Sequence, residues 1–106
     1  MIAVLYRWKI RPGKEAEFVD AWAKATRRTQ HFCGSYGSRL HQSQDGIYWA
    51  YARWPSLQAR AECPAKLMKE DFSSFQAMQA CIEEQYEETV LALKEDLLVE
   101  PPRGGA

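Results

Sequence analysis

The run IYWAYARW at 47–54 restricts the fold more than any other part of the chain. In strand alternation Ile47, Trp49 and Tyr51 take one face, and Tyr48, Ala50, Ala52 and Trp54 take the other. A strand apolar on both faces belongs inside a sheet with both faces covered. Residues 2–10, IAVLYRWKI, read as a second such strand, with Ile2, Val4, Tyr6 and Trp8 against Ala3 and Leu5. Arg11-Pro12-Gly13 ends it, because proline removes a donor and glycine supplies turn geometry. Residues 35–44, SYGSRLHQSQ, are polar and suit a sheet edge. Asp45-Gly46 between the two extended runs predicts a hairpin with a two-residue type I′ turn. That turn pairs Gln44 with Ile47, Gln42 with Trp49, Leu40 with Tyr51 and Ser38 with Arg53. It sets His41 opposite Ala50 and Arg39 opposite Ala52.

Phe18, Trp22, Ala25 and Thr29 recur at helical steps, with Glu15 and Glu17 early and Arg27 and Arg28 late, and predict a helix over 14–31. Ser56 caps a short helix that ends before Pro64. A further helix is expected over 71–86, started by Asp71 or Ser73, with Phe75, Met78, Cys81 and Ile82 on one face. The segment 86–100 has helix-forming composition, yet Thr89, Leu91, Leu93, Glu95, Leu97 and Val99 alternate as a strand does. Taken as a strand, it completes a βαββαβ order, the split βαβ motif of ferredoxin-like α+β folds. The antiparallel sheet order 4-1-3-2 then centres the two apolar strands and leaves the polar one at an edge. The expectation is one domain over 1–100 and a flexible tail over 101–106. Helices of this motif cover one sheet face only. The other face would be a large exposed apolar patch, so a second copy is expected to cover it, giving a homodimer.

Composition removes several alternatives. The chain has 106 residues, enough for one core, and 14 Lys+Arg balance 14 Asp+Glu, which argues against nucleic-acid binding. No apolar run approaches the roughly 18 residues of a membrane span, so no membrane partner is expected. The first residues lack the basic n-region of a signal peptide, which implies a cytoplasmic, bacterial-type setting. Cys33, Cys63 and Cys81 form no CxxC pair, and neither His31 nor His41 stands at a zinc-motif spacing. Free thiols and no metal site are expected. No glycine-rich phosphate loop is present, and no cofactor is expected.

The chain resembles the antibiotic biosynthesis monooxygenase family. The resemblance rests on the hydrophobic first strand followed by Arg11-Pro12-Gly13-Lys14-Glu15-Ala16-Glu17-Phe18. Gly37-Ser38-Arg39-Leu40, the Asp45-Gly46 hairpin and Tyr51-Ala52-Arg53-Trp54-Pro55-Ser56 complete it. It spans about residues 2–99 and implies a dimeric α+β barrel. Members include cofactor-free quinone-forming monooxygenases, haem-degrading enzymes and proteins of no known activity. The strand-ending Trp of the ring-oxidising members matches Trp54. Their Asn four residues earlier corresponds to Ala50, and their Tyr in the following helix corresponds to Arg60. Haem-degrading members use an Asn near Arg7 and a His along the helix region, whereas no His follows His41 here. No haem degradation is expected.

Trp54, Arg7 and His41 are the candidate catalytic residues. Trp54 either walls a planar substrate by stacking or closes the core. Arg7, on a central strand, meets a ligand oxygen or pairs with a carboxylate such as Glu62. His41 and Arg39, set against Ala50 and Ala52, either border a small cavity where a histidine handles a proton or lie on an exposed edge. His31 reads as a helix C-terminal charge, and Glu83, Glu84, Glu87 and Glu88 as a solvated face. Two functions remain open. One is a cofactor-independent monooxygenase of small phenol- or quinol-type aromatics. The other is a non-catalytic dimeric small-ligand-binding or stress-related protein.

Overall fold

The computed structural model describes residues 1–70 and 72–101. The elements run β1 (Ile2–Ile10), α1 (Glu15–Cys33), β2 (Ser38–Gln42), β3 (Tyr48–Trp54), α2 (Leu57–Leu67), α3 (Ser73–Ala80), β4 (Ile82–Gln85) and β5 (Thr89–Ala92). They form an α+β, ferredoxin-like fold with one open antiparallel sheet, ordered β2-β3-β1-β4, with β5 also on β1. The two-sided apolar strands β1 and β3 are central, as their patterning requires. The expected fourth strand is divided. β4 pairs with Trp8–Ile10 and β5 with Ile2–Leu5, so two short strands share one edge of β1.

Two expected boundaries move. The helix expected over 71–86 stops at Ala80, because the backbone of Ile82–Gln85 is taken up by β1. Its start signal Asp71 and the tail residues 102–106 lie outside the described residues. Helix α2 runs through Pro64 to Leu67 instead of stopping at Cys63. Pro64 forgoes one intrahelical bond, and the Met68 amide donating to the Pro64 carbonyl at 3.0 Å closes the last turn. Ser56 caps α2 as expected, its hydroxyl accepting from the Ala59 amide at 3.1 Å. Gly34 ends α1 in the left-handed conformation that favours glycine, φ 71°.

The β2–β3 hairpin also departs from expectation, by one residue. The observed partners are Ser38 with Ala52, Arg39 with Tyr51, Leu40 with Ala50, His41 with Trp49 and Gln42 with Tyr48. A type I′ turn needs positive φ at Asp45 as well as Gly46, and among the described residues only glycines have it. The turn instead holds three residues between Ser43 and Ile47, whose backbones bond at 2.9 Å. The Asp45 carboxylate accepts from the Ser43 hydroxyl and the Ile47 amide, and Gly46 takes φ 90°. A shift of one residue moves every β2 side chain to the opposite face.

The helices pack on one face of the sheet. Val4, Trp8, Tyr48, Ala50, Ala52 and Trp54 are buried there against Phe18, Cys33, Cys63 and Leu67. Phe18 is fully buried, edge-on to Trp8 and Tyr48 with ring centroids 5.4 Å away. Cys33 and Cys63 form a disulfide, which corrects the expectation of free thiols for these two; Cys81 is free and buried. Their spacing of 30 carries no pairing signal. What joins them is the packing of α2 on the end of α1. The opposite face carries Leu5, Arg7, Trp49, Tyr51 and Leu91 with no helix over it. Among the described residues no helix is long and apolar enough to cross a membrane.

Candidate functional site

Two alanines open a cavity beneath the helices. On the helix face of β3, Ala50 and Ala52 stand between the large side chains Tyr48 and Trp54, and Tyr6 lies opposite Ala50 on β1. Their short side chains leave a hollow of about 230 Å³ between sheet and helices. Trp54, Tyr6 and Trp8 wall it from the sheet, Trp22, Thr26 and Thr29 from α1, and Phe75 and Met78 from α3. Tyr6 and Trp8 are stacked on one another, with ring centroids 5.5 Å and planes 5° apart.

Three lining residues carry buried polar atoms without a hydrogen-bond partner: Trp54 Nε1, Trp8 Nε1 and Ser38 Oγ. A buried polar group left unpaired is costly, roughly 1–3 kcal/mol each, so such groups mark places where a partner fits. An indole N–H only donates. These three atoms are covered by their neighbours rather than open to the hollow, so an acceptor oxygen reaches them only where the lining side chains move aside.

A second hollow of about 540 Å³ adjoins the first and shares Tyr6, Thr29, Trp54 and Phe75 with it. Arg60 on α2 lines it. The Arg60 guanidinium donates to the Tyr6 hydroxyl at 3.4 Å, forms an ion pair with Glu88 and lies 5.9 Å from the centre of the Tyr6 ring. Burial pushes the Tyr6 phenol above its ordinary value, partly offset by Arg60, so it stays a neutral donor. Burial alone would lower Arg60, but its bonds to Glu88 and Tyr6 outweigh this and hold it charged.

Of the three candidate residues, only Trp54 lines this space. Arg7 and His41 lie on the opposite, helix-free face, so the three do not share a cavity. The register explains His41: it pairs with Trp49 rather than Ala50, and Arg39 pairs with Tyr51 rather than Ala52. The positions facing Ala50 and Ala52 belong to Leu40 and Ser38. Arg7 pairs with Trp49, and its guanidinium sits 5.4 Å from the Trp49 ring and 5.2 Å from the Tyr86 ring. Glu62, its expected partner, instead accepts from Gln58. His31 rests edge-on against Phe32, and Glu83 pairs with Lys9 at 2.9 Å.

Tyr6, Trp8 and Ser38 were not among the candidates. The signal for Tyr6 and Trp8 was their parity with Val4, which becomes decisive only with the β1–β3 register. Among the described residues, no cluster of three or more His, Cys, Asp or Glu side chains could hold a metal ion.

Solved structures with the same architecture include an alanine-for-asparagine mutant of SnoaB from Streptomyces nogalater, a cofactor-independent oxygenase. It is 18% identical with TM-score 0.73, over 91% of this chain and 95% of that one. Rv0793 from Mycobacterium tuberculosis is 19% identical with TM-score 0.71, over 92% and 98%. A NIPSNAP family protein from Agrobacterium tumefaciens is 21% identical with TM-score 0.70, over 92% and 88%. These likenesses establish the fold alone. No curated protein matches the chain. The model of the antibiotic biosynthesis monooxygenase family matches residues 1–62, which contain β1, α1, the hairpin and the Trp54 end of β3. The chain belongs to the antibiotic biosynthesis monooxygenase family.

Proposed function

We propose that the protein is a homodimeric, cofactor-independent monooxygenase of small phenol- or quinol-type aromatics, with Trp54 as a substrate-contacting residue. The observation that carries this reading is the cavity between sheet and helices, lined by the aromatic side chains of Tyr6, Trp8, Trp22, Trp54 and Phe75. Such a site suits a planar ring bearing oxygen substituents. In this chemistry the substrate anion reduces dioxygen itself. One oxygen atom enters the ring carbon as a carbonyl, the other leaves as water, and the ring supplies all four electrons. The protein then needs to orient the ring, hold its oxygens and keep water out. The indole N–H groups of Trp54 and Trp8 become donors where the lining side chains give way to the ring, and the aromatic side chains around the hollow orient it. The SnoaB neighbour, a cofactor-independent oxygenase on this fold, supports the same reading.

The helix-free face supports the dimer. Leu5, Trp49 and Tyr51 are only partly covered, and Leu91 is exposed. In this reading Arg7 and His41 serve that interface or a site completed by it. Light scattering at micromolar concentration should give about twice the 12.2 kDa of the chain. A stable monomer would remove the dimer from the proposal.

Ala50 favours a second reading, a non-catalytic ligand carrier, because it brings no proton-handling group to the cavity where ring-oxidising relatives are expected to place an amide. Oxygen consumption with 1-naphthol, corrected for spontaneous oxidation, separates the two. Uptake with formation of 1,4-naphthoquinone supports the oxygenase. Binding of naphthol without uptake refutes it in favour of the carrier.

A further inference from the structure

The geometry points to an anion-recognising end of the cavity: Arg60, with Tyr6, binds a carboxylate substituent on the aromatic ligand, exchanging Glu88 for it. This rests on the reading of the cavity as an aromatic-ligand site and adds the class of ligand it selects, an aryl carboxylate.

Three observations carry it. First, the two hollows share Tyr6, Trp54 and Phe75, so a ring held against these side chains has one edge in each. Second, Arg60 is the one formally charged side chain among the described residues lining either hollow. Its charge lies beside the apolar side chains of Leu57, Pro64 and Leu67, which offer an anion no competing positive group. The planar guanidinium presents its donors in a fork that matches a carboxylate, and its contacts to Tyr6 and Glu88 both go through the one terminal nitrogen. Third, Glu88 is a replaceable partner. It precedes β5 at the sheet margin, and its side chain is 37% exposed against 25% for Arg60. An ion pair so open to water holds weakly, and Glu88 remains solvated when Arg60 turns to a ligand. Tyr6, kept neutral by burial, donates its hydroxyl to the same anion without repelling it.

The exchange predicts a charge preference that a purely apolar cavity lacks. Calorimetric titration at pH 7.5 with 4-hydroxybenzoate and with 4-hydroxybenzamide, its uncharged counterpart, reads it directly. Wild type should bind the acid about tenfold more tightly than the amide, the scale of a hydrogen bond to a charged group. Arg60→Gln should abolish that preference by weakening the acid alone. Glu88→Gln should strengthen the acid severalfold, a gain that loss of folding cannot imitate. Equal affinity of wild type for acid and amide, or parallel weakening of both by Arg60→Gln, would overturn the inference. Oxygen uptake with 1-naphthol, which has no carboxylate, tests the oxygenase separately. Naphthol turnover without an acid preference sinks only the anion site. An acid preference without turnover keeps the anion site on a binding protein.

Discussion

Replacing Trp54 with phenylalanine separates the ligand-binding role of its indole N–H from its role in packing. In the free protein Trp54 is 5% exposed and its Nε1 is unpaired. Trp54→Phe removes that orphan donor, a relief of about 1–3 kcal/mol. It also removes roughly two buried ring carbons, about 1.5 kcal/mol at the usual value per buried carbon group. The space left behind costs on the order of 1 kcal/mol more if the site does not collapse. The terms oppose each other, so the unliganded variant should lie within about 1.5 kcal/mol of wild type. Trp54→Ala would cost about 3–5 kcal/mol. Ligand affinity responds differently. Hydroquinone should lose one neutral hydrogen bond, roughly 0.5–1.5 kcal/mol or about two- to tenfold in Kd, while toluene, which has no acceptor, should lose nothing from this cause. Urea unfolding followed through Trp8, Trp22 and Trp49 reads the first quantity, and calorimetry with the two ligands reads the second. A destabilisation of about 3 kcal/mol or more would show that the indole N–H is satisfied in the free protein. Equal losses for hydroquinone and toluene would show that it does not meet the ligand.

Three further outcomes follow from other parts of the molecule. Cys33–Cys63 closes a loop of sequence separation 30, so the Cys33→Ala/Cys63→Ala protein should be about 3–4 kcal/mol less stable in urea. Wild type treated with dithiothreitol should shift alike, and an unmoved midpoint would deny the bond. The Ser43 hydroxyl and the Ile47 amide hold the Asp45 carboxyl below its ordinary 3.8. Its contribution to stability is thus fully present above about pH 5 and is lost as pH falls through the lower folded value. The stability gap between wild type and Asp45→Asn should narrow from about pH 5 to about pH 2, and a constant gap would show that the turn bonds do not depend on the charge. Neither histidine, His31 nor His41, lines the cavity, so haem with a reductant should show no enzyme-dependent loss of the Soret band. Such a loss would mean that a haem ligand comes from elsewhere.

Much of the fold was legible because its strongest signals are local. Two-face apolarity placed β1 and β3 at the centre, and the spacing of Phe18, Trp22 and Ala25 gave α1. What was not legible depends on tertiary contacts. Pro64 reads as a helix stop, yet α2 continues to Leu67, which is buried against the sheet with Cys63. Burial of that last turn outweighs one missing backbone bond. The segment after α3 divides into β4 and β5 because each pairs with a different part of β1, with an irregularity in the β4 register at Lys9 and Ile10. The disulfide likewise depends on where two helices meet.

The candidate site turned on one residue of register. Asp45-Gly46 is a true hairpin signal, but the Asp45 side chain bonds to Ser43 and Ile47, and this stabilises a turn with negative φ at Asp45. The three-residue loop carries Ser38 and Leu40 to the helix side and His41 and Arg39 to the other. Arg7 shares that other face with them because its β1 position opposes Trp49. The polar residues expected to serve one cavity therefore divide between two surfaces. The helix side keeps the aromatic walls, the indole donors and, from α2, Arg60. The open side gathers Arg7, Arg39, His41 and Arg53 among Trp49 and Tyr51, where a second sheet would meet them. If the protein dimerises through that face, the two sides of β3 have separate tasks. The short side chains Ala50 and Ala52 make room for a ligand, and the long side chains Trp49, Tyr51 and Arg53 on the reverse are available to a partner. A substitution such as Ala50→Leu should then impair ligand binding while leaving the mass of the assembly unchanged, and Tyr51→Glu should do the reverse.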